Sequence, residues 1–158
     1  MSEWVVLLHV ATAFWFVGGL IGRWVALSRA RAVREIRIAT ELVELAGRFE
    51  RWMVQPGSFA VVIAGLLAAW AADLPWTGEG NWWLLTSLIL FVSVGLLVPL
   101  VFIPRGKVFE AALERAKQGG EVTPELTAAF GDALVSFARI YEVVAVGAIV
   151  VLMVTKPF

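Results

Sequence analysis

One histidine stands in the whole chain, and it lies in WVVLLHVATAFWFVGGLIGRW, residues 4–24, a run otherwise almost entirely apolar. Neutral imidazole is a good donor to iron and other transition metals, and an ionisable group inside an apolar run is costly enough to be functional by default. The other chemistry-bearing side chains in apolar surroundings are Arg23 at the end of the same run, Arg139, Glu142 and the thioether of Met153. On a helix, His9, Thr12, Phe16, Gly19 and Arg23 recur at three and four residues and share one stripe. Val135, Arg139, Glu142, Val146, Ile149 and Met153 form a second stripe by the same spacing. One stripe carries an imidazole and a guanidinium, the other a charge pair and a thioether. Cysteine is absent, which excludes disulfides, thiolate metal sites and thiol nucleophiles.

Helices in lipid must position these residues. The chain has 158 residues, is 60% hydrophobic and carries eight Trp. Its mean hydropathy of +0.84 is well above that of a soluble globular domain. Four runs reach the roughly 20 apolar residues that a hydrocarbon core requires: Trp4 to Leu27, Val54 to Ala72, Trp82 to Ile103 and Leu134 to Thr155. They occupy most of the chain, so the expected fold is all-α, a single integral membrane domain over residues 1–158 built as a four-transmembrane-helix bundle. No basic n-region precedes the first run and that run is too long for an h-region, so it is expected to be a retained helix.

Net charge is zero, but the charges are sorted along the chain. Arg23, Arg29, Arg31, Arg34, Arg37, Arg48 and Arg51 lie at or between the first two spans, and Arg105, Lys107, Arg115 and Lys117 between the last two. Residues 73–81 contain Asp73 and Glu79 and neither Lys nor Arg. The positive-inside rule then puts both basic connections in the cytoplasm and both termini outside. Trp4, Trp70, Trp76, Trp82 and Trp83 suit an outer aromatic belt, and Trp24 and Trp52 the inner interface.

Ile36, Ala39, Val43, Ala46, Phe49 and Met53 recur at helical spacing while Arg34, Arg37, Glu41, Glu44, Arg48 and Arg51 take the other faces. This predicts an amphipathic cytoplasmic connecting helix that leads through Gln55, Pro56 and Gly57 into the second span. A second such helix is expected from Lys107 to Gln118, stopped by Gly119-Gly120. Pro99 and Pro104 read as a kink and an end of the third helix. Thr123-Pro124-Glu125 has the residues of a helix start, from which the fourth helix is expected to run unbroken to Thr155. Both basic stretches suit the anionic lipid of the inner leaflet; their interleaved acids and lack of stacking aromatics speak against nucleic acid. Gly18 and Gly22 make a small-xxx-small pair, suited to close helix packing or a dimer contact.

At about 1.5 Å per residue, His9 and Met153 lie at similar outer depth, and Arg23, Arg139 and Glu142 in the inner half. If the two stripes face each other, Glu142 meets Arg139 on its own helix or Arg23 across the bundle, a pairing that neutralises it or locks helix register. Two readings of His9 stand side by side: an imidazole hydrogen-bonded to a hydroxyl such as Thr12 or to a backbone carbonyl, and an iron ligand. A metal cage has no second His, Cys or carboxylate cluster to build it, and copper held by His9 and Met153 has too few ligands. Haem asks less, because porphyrin supplies four ligands and the protein one or two.

The run LHVATAFWFVGGLIGRW resembles the first helix of HemJ-type protoporphyrinogen IX oxidases, small four-helix bacterial membrane proteins, in its Leu-His, Trp-Phe pair, following Gly-Leu and terminal Arg. FERWMVQPGSFAVVIAGLL is similar to the start of that family's second helix, and FARIYEVVAVGAIVVLMVTKPF to its last, with the Arg, the Glu and a terminal Lys-Pro-Phe. The chain is also similar to a broader four-helix family of bacterial integral membrane proteins that end in a Met-Val-x-Lys-Pro pattern. The HemJ resemblance implies a bacterial inner-membrane protein with haem b ligated by His9, oxidising the tetrapyrrole protoporphyrinogen IX to protoporphyrin IX. It implies that Arg23, Arg139 and Glu142 hold the family's charged intramembrane positions, with Arg23 or Arg139 available to porphyrin carboxylates. Two positions depart from the family. The third helix offers Thr86, Ser87 and Ser93 where the family has a lysine and then a histidine, and Tyr141 stands where it has an asparagine. Thr12 and Phe16 share the cofactor-binding stripe with His9, and Met153 is the sixth ligand that depth and facing suggest. A second His9, from a partner in a homo-oligomer, is the other. The opposing expectation is a cofactor-free structural or transport subunit of the membrane with a register-setting Arg-Glu pair.

Overall fold

A computed structural model describes residues 2–75 and 81–157. Among these residues every regular element is helical: α1 (Ser2–Ala32), α2 (Ile36–Phe49), α3 (Gln55–Ala71), α4 (Trp82–Leu97), α5 (Ile103–Gly119), α6 (Pro124–Phe130) and α7 (Ala133–Thr155). Four stretches are long and apolar enough to cross a membrane: Glu3–Ala32, Ile36–Ala71, Trp82–Gly119 and Pro124–Thr155. Only 17–22% of each most apolar window is buried by the rest of the chain. Apolar side chains around most of the circumference suit a helix whose solvent is lipid.

The connections differ from the sequence expectation, each for a local reason. α2 and α3 are one helix of 36 residues, joined by a wide π turn at Glu50–Val54. α4 and α5 are likewise joined, through Val98–Phe102, so Pro104 ends nothing and opens α5 instead. A proline lacks the amide that would bond four residues back, and its ring collides with that carbonyl. Pro56 and Pro104 would meet the carbonyls of Trp52 and Leu100, both inside the wide turns. Opening the turn relieves the collision, and the Gln55 and Ile103 amides reach back five residues, to Glu50 and Val98. The fourth helix does not run unbroken from Pro124. Thr123 Oγ1 accepts the Leu126 amide at 3.2 Å and starts α6 as the sequence predicts. However, α6 stops at Gly131, and Asp132 Oδ1 accepts the amides of Leu134 and Val135 at 2.9 and 3.1 Å to start α7 afresh. A short acceptor side chain that captures backbone amides outcompetes helix continuation there.

Contacts divide the chain into two compact units. In the first, α1 lies antiparallel to the α2–α3 helix. A Cβ placed on Gly22 would meet the Phe49 ring at 2.6 Å, one on Gly19 would meet Met53 Cβ at 2.6 Å, and one on Gly57 would meet Phe16 Cα at 3.1 Å. Small residues thus let two backbones approach, as is usual where lipid removes the hydrophobic drive for helix pairing. Gly18, by contrast, has only ordinary contact with Met53, at 3.6 Å.

In the second unit α4 lies antiparallel to α7. Lys156 Nζ sits 5.4 Å from the Trp83 ring centroid, Ser93 Oγ and the Tyr141 hydroxyl are 2.6 Å apart, and Arg105 Nη1 donates to Asp132 Oδ2 at 3.1 Å. Ser93 of α4 and Tyr141 of α7 thus bond each other. Beyond them α5 and α6 close over Ala112, Ala116 and Leu126, with Ile36, Phe109 and Phe130 packed around that cluster.

Candidate functional site

The site grows from His9, in the second turn of α1 and partly buried. Its Nδ1 lies 3.0 Å from the backbone carbonyl oxygen of Val61 on α3. A carbonyl only accepts, so Nδ1 carries a proton and donates; in the neutral ring the lone pair is then on Nε2. Gly65, one turn beyond Val61, faces the same ring. A Cβ there would sit 2.9 Å from His9 Cε1 and 3.2 Å from Nδ1. The imidazole therefore rests on bare helix backbone. Of the partners the sequence allows, the carbonyl is the one found. Thr12 turns its hydroxyl to its own helix, donating to Leu8 O at 3.0 Å and His9 O at 2.9 Å.

Further along the stripe, Phe16 is buried against Gly57, and Gly19 against Met53 and Val54. At its end Arg23 Nη1 donates to Glu50 Oε2 at 2.6 Å. The guanidinium side chain is 14% exposed and the carboxylate 32%, so the pair is largely screened from solvent by protein. Sequence reasoning left Glu142 to pair with Arg139 or with Arg23, and did not foresee Glu50, the first residue of the wide turn. The α1 stripe thus packs on the second long helix, because Gly57 and Gly65 leave room for it there.

The remaining expected site residues belong to the second unit. Arg139 and Glu142 lie one turn apart on α7; Glu142 is buried at 5% exposure and Arg139 partly so. Met153 is partly buried near the C-terminal end of α7. Ser87 is buried, and its hydroxyl donates to Trp83 O at 2.7 Å, satisfying it within α4. Sequence reasoning also missed Val61, Gly65 and Asp132. A signal existed for the first two: Phe49, Met53, Gly57, Val61 and Gly65 recur at every fourth residue.

A family model described as "Predicted integral membrane protein (DUF2269)" matches residues 3–157, nearly the whole chain. The chain belongs to that family. Its membership agrees with the four apolar helices, which make this an integral, multi-pass membrane protein. No curated protein and no solved structure matches the chain.

Among the described residues no three His, Cys, Asp or Glu side chains gather where they could hold a metal ion. Haem is a different demand, since one imidazole suffices. The donor set at His9 fits it: a ring nitrogen with a free lone pair, on a ring oriented from behind by a backbone carbonyl, is the usual arrangement of a ligating histidine.

Proposed function

We propose that this protein is a haem-b-binding redox protein of the bacterial inner membrane, with His9 Nε2 as axial ligand. The observation that carries the reading is the hydrogen bond from His9 Nδ1 to the Val61 carbonyl. It spends the proton on one nitrogen and leaves the other as a donor at fixed orientation. Haem, when bound, supplies one-electron chemistry within the membrane. His9 would hold it, its ring oriented by the Val61 carbonyl and resting on Gly65. A second His9, in a homo-oligomer, would be a further ligand. Oxidation of protoporphyrinogen IX to protoporphyrin IX is the reaction that the HemJ resemblance implies, with Arg23, Arg139 and Glu142 as the charged groups toward the tetrapyrrole. Of these, Arg23 is paired with Glu50. Both termini lie outside, by the sorting of Lys and Arg.

The test is the absorption spectrum of protein purified in detergent from cells supplied with haem precursors. A Soret band present in the parent and lost in His9→Ala supports the reading, and protoporphyrinogen turnover by the same sample then separates enzyme from carrier. A second reading takes the chain as a cofactor-free structural or transport subunit of the membrane. The Arg23–Glu50 pair favours it, since it ties α1 to the first residue of the wide turn and so sets helix register. Parent protein that stays colourless with haemin present would decide for that alternative.

A further inference from the structure

We infer that Gly65 is a positioning residue for His9: by leaving the Val61 carbonyl uncovered, it fixes the imidazole proton on Nδ1 and the lone pair on Nε2. The purpose of that tautomer rests on the haem-ligand reading, whereas the tautomer itself rests on geometry alone. In an α-helix the carbonyl of residue 61 points along the axis toward the amide of residue 65. Each Cα–Cβ bond tilts back toward the helix N-terminus, so the side chain of residue 65 would flank that carbonyl. Glycine leaves the flank open, and His9 occupies it. The ring fills the space a side chain would need, with Cε1, Nδ1 and Nε2 at 2.9, 3.2 and 3.7 Å from the Cβ position. The carbonyl thus accepts twice, from its own helix and from the imidazole, as its two lone pairs permit. Water does not compete for it at membrane depth, so the donor stays in place.

The neighbouring glycine on the same helix serves as a control within the molecule. A Cβ on Gly57 would press on the Phe16 backbone at 3.1 Å, in the same α1–α3 interface, without touching the imidazole. A packing role would make the two glycines equivalent; a positioning role makes only Gly65 govern the ring.

The chain has one histidine, so protein grown with ¹⁵N-histidine and placed in lipid nanodiscs gives imidazole signals from His9 alone. The parent is expected to show Nδ1 protonated and Nε2 unprotonated. Gly65→Ala is expected to lose that pattern, and Gly57→Ala to keep it. In haemin titrations Gly65→Ala is expected to bind about tenfold or more weakly than the parent, the range typical of disturbing a ligand's hydrogen-bond partner. A parent spectrum with the proton on Nε2 overturns the inference, whether or not Gly65→Ala folds. An unchanged tautomer in Gly65→Ala, or an equal change in Gly57→Ala, overturns it too. Loss of the Nδ1–H pattern in Gly65→Ala with no haemin bound by any variant retains this inference and removes the haem reading. Parent-like haemin affinity in Gly65→Ala, abolished in His9→Ala, retains the haem reading and overturns the positioning role of Gly65 in ligation.

Discussion

Arg23 and Glu50 show what a charge needs in order to sit at the edge of an apolar interface. With its guanidinium 14% exposed and 2.6 Å from the carboxylate, Arg23 has its charge compensated by Glu50. Glu50→Gln removes that charge and leaves the guanidinium half-satisfied, and is expected to cost about 1–3 kcal/mol in resistance to denaturation by sodium dodecyl sulfate. The paired replacement Arg23→Leu with Glu50→Leu is expected to recover most of the loss, and a double variant as weak as the single one would contradict this. The α1 stripe was legible, since three-four spacing alone puts His9, Phe16, Gly19 and Arg23 on one face. The partners were not. Glu50 is one carboxylate among several in a charged amphipathic segment, and no spacing rule separates it from Glu41 or Glu44. A backbone carbonyl such as that of Val61 has no sequence signature at all; only Gly65 hints at it.

At the scale of elements, the wide turn at Glu50–Val54 corrects the phase of a helix face. Phe49, Met53, Gly57, Val61 and Gly65 step by four, and in a helix of 3.6 residues per turn such a stripe drifts by roughly 40° at each step. A turn that takes one additional residue sets the helix back by about 100°, which offsets the roughly 80° of drift between Phe49 and Gly57, so both face α1. Deleting Trp52, 69% exposed, together with Pro56→Ala is therefore expected to close the turn and keep the α1–α3 face. Deleting Phe59, 72% exposed but in regular helix, rotates everything after it by about 100° and is expected to abolish cooperative melting followed by circular dichroism. Equal damage from both deletions would contradict the phase argument. The long helices were legible from apolar length. Their joints were not, because Pro104 was read as an end where a five-residue hydrogen bond absorbs it, and Asp132 was not recognised as a cap inside an apolar pattern.

For the molecule as a whole, apolar length was enough to read four spans, while the pairing of α1 with the second long helix depends on which glycines admit which neighbours, a matter of contact that no periodicity reports. The proposed orientation is open to a clean test because the chain lacks cysteine. Asp73→Cys is expected to react with a membrane-impermeant maleimide on intact spheroplasts, and Arg31→Cys only after lysis; the opposite pattern would reverse the topology. The claim on which the functional account turns is that His9 Nε2 binds iron. Titration of purified, nanodisc-embedded protein with haemin, parent against His9→Ala, tests it most directly. The account predicts a saturable Soret shift at one haem per chain, weakened at least tenfold by the substitution, whereas superimposable titrations of the two proteins would contradict it.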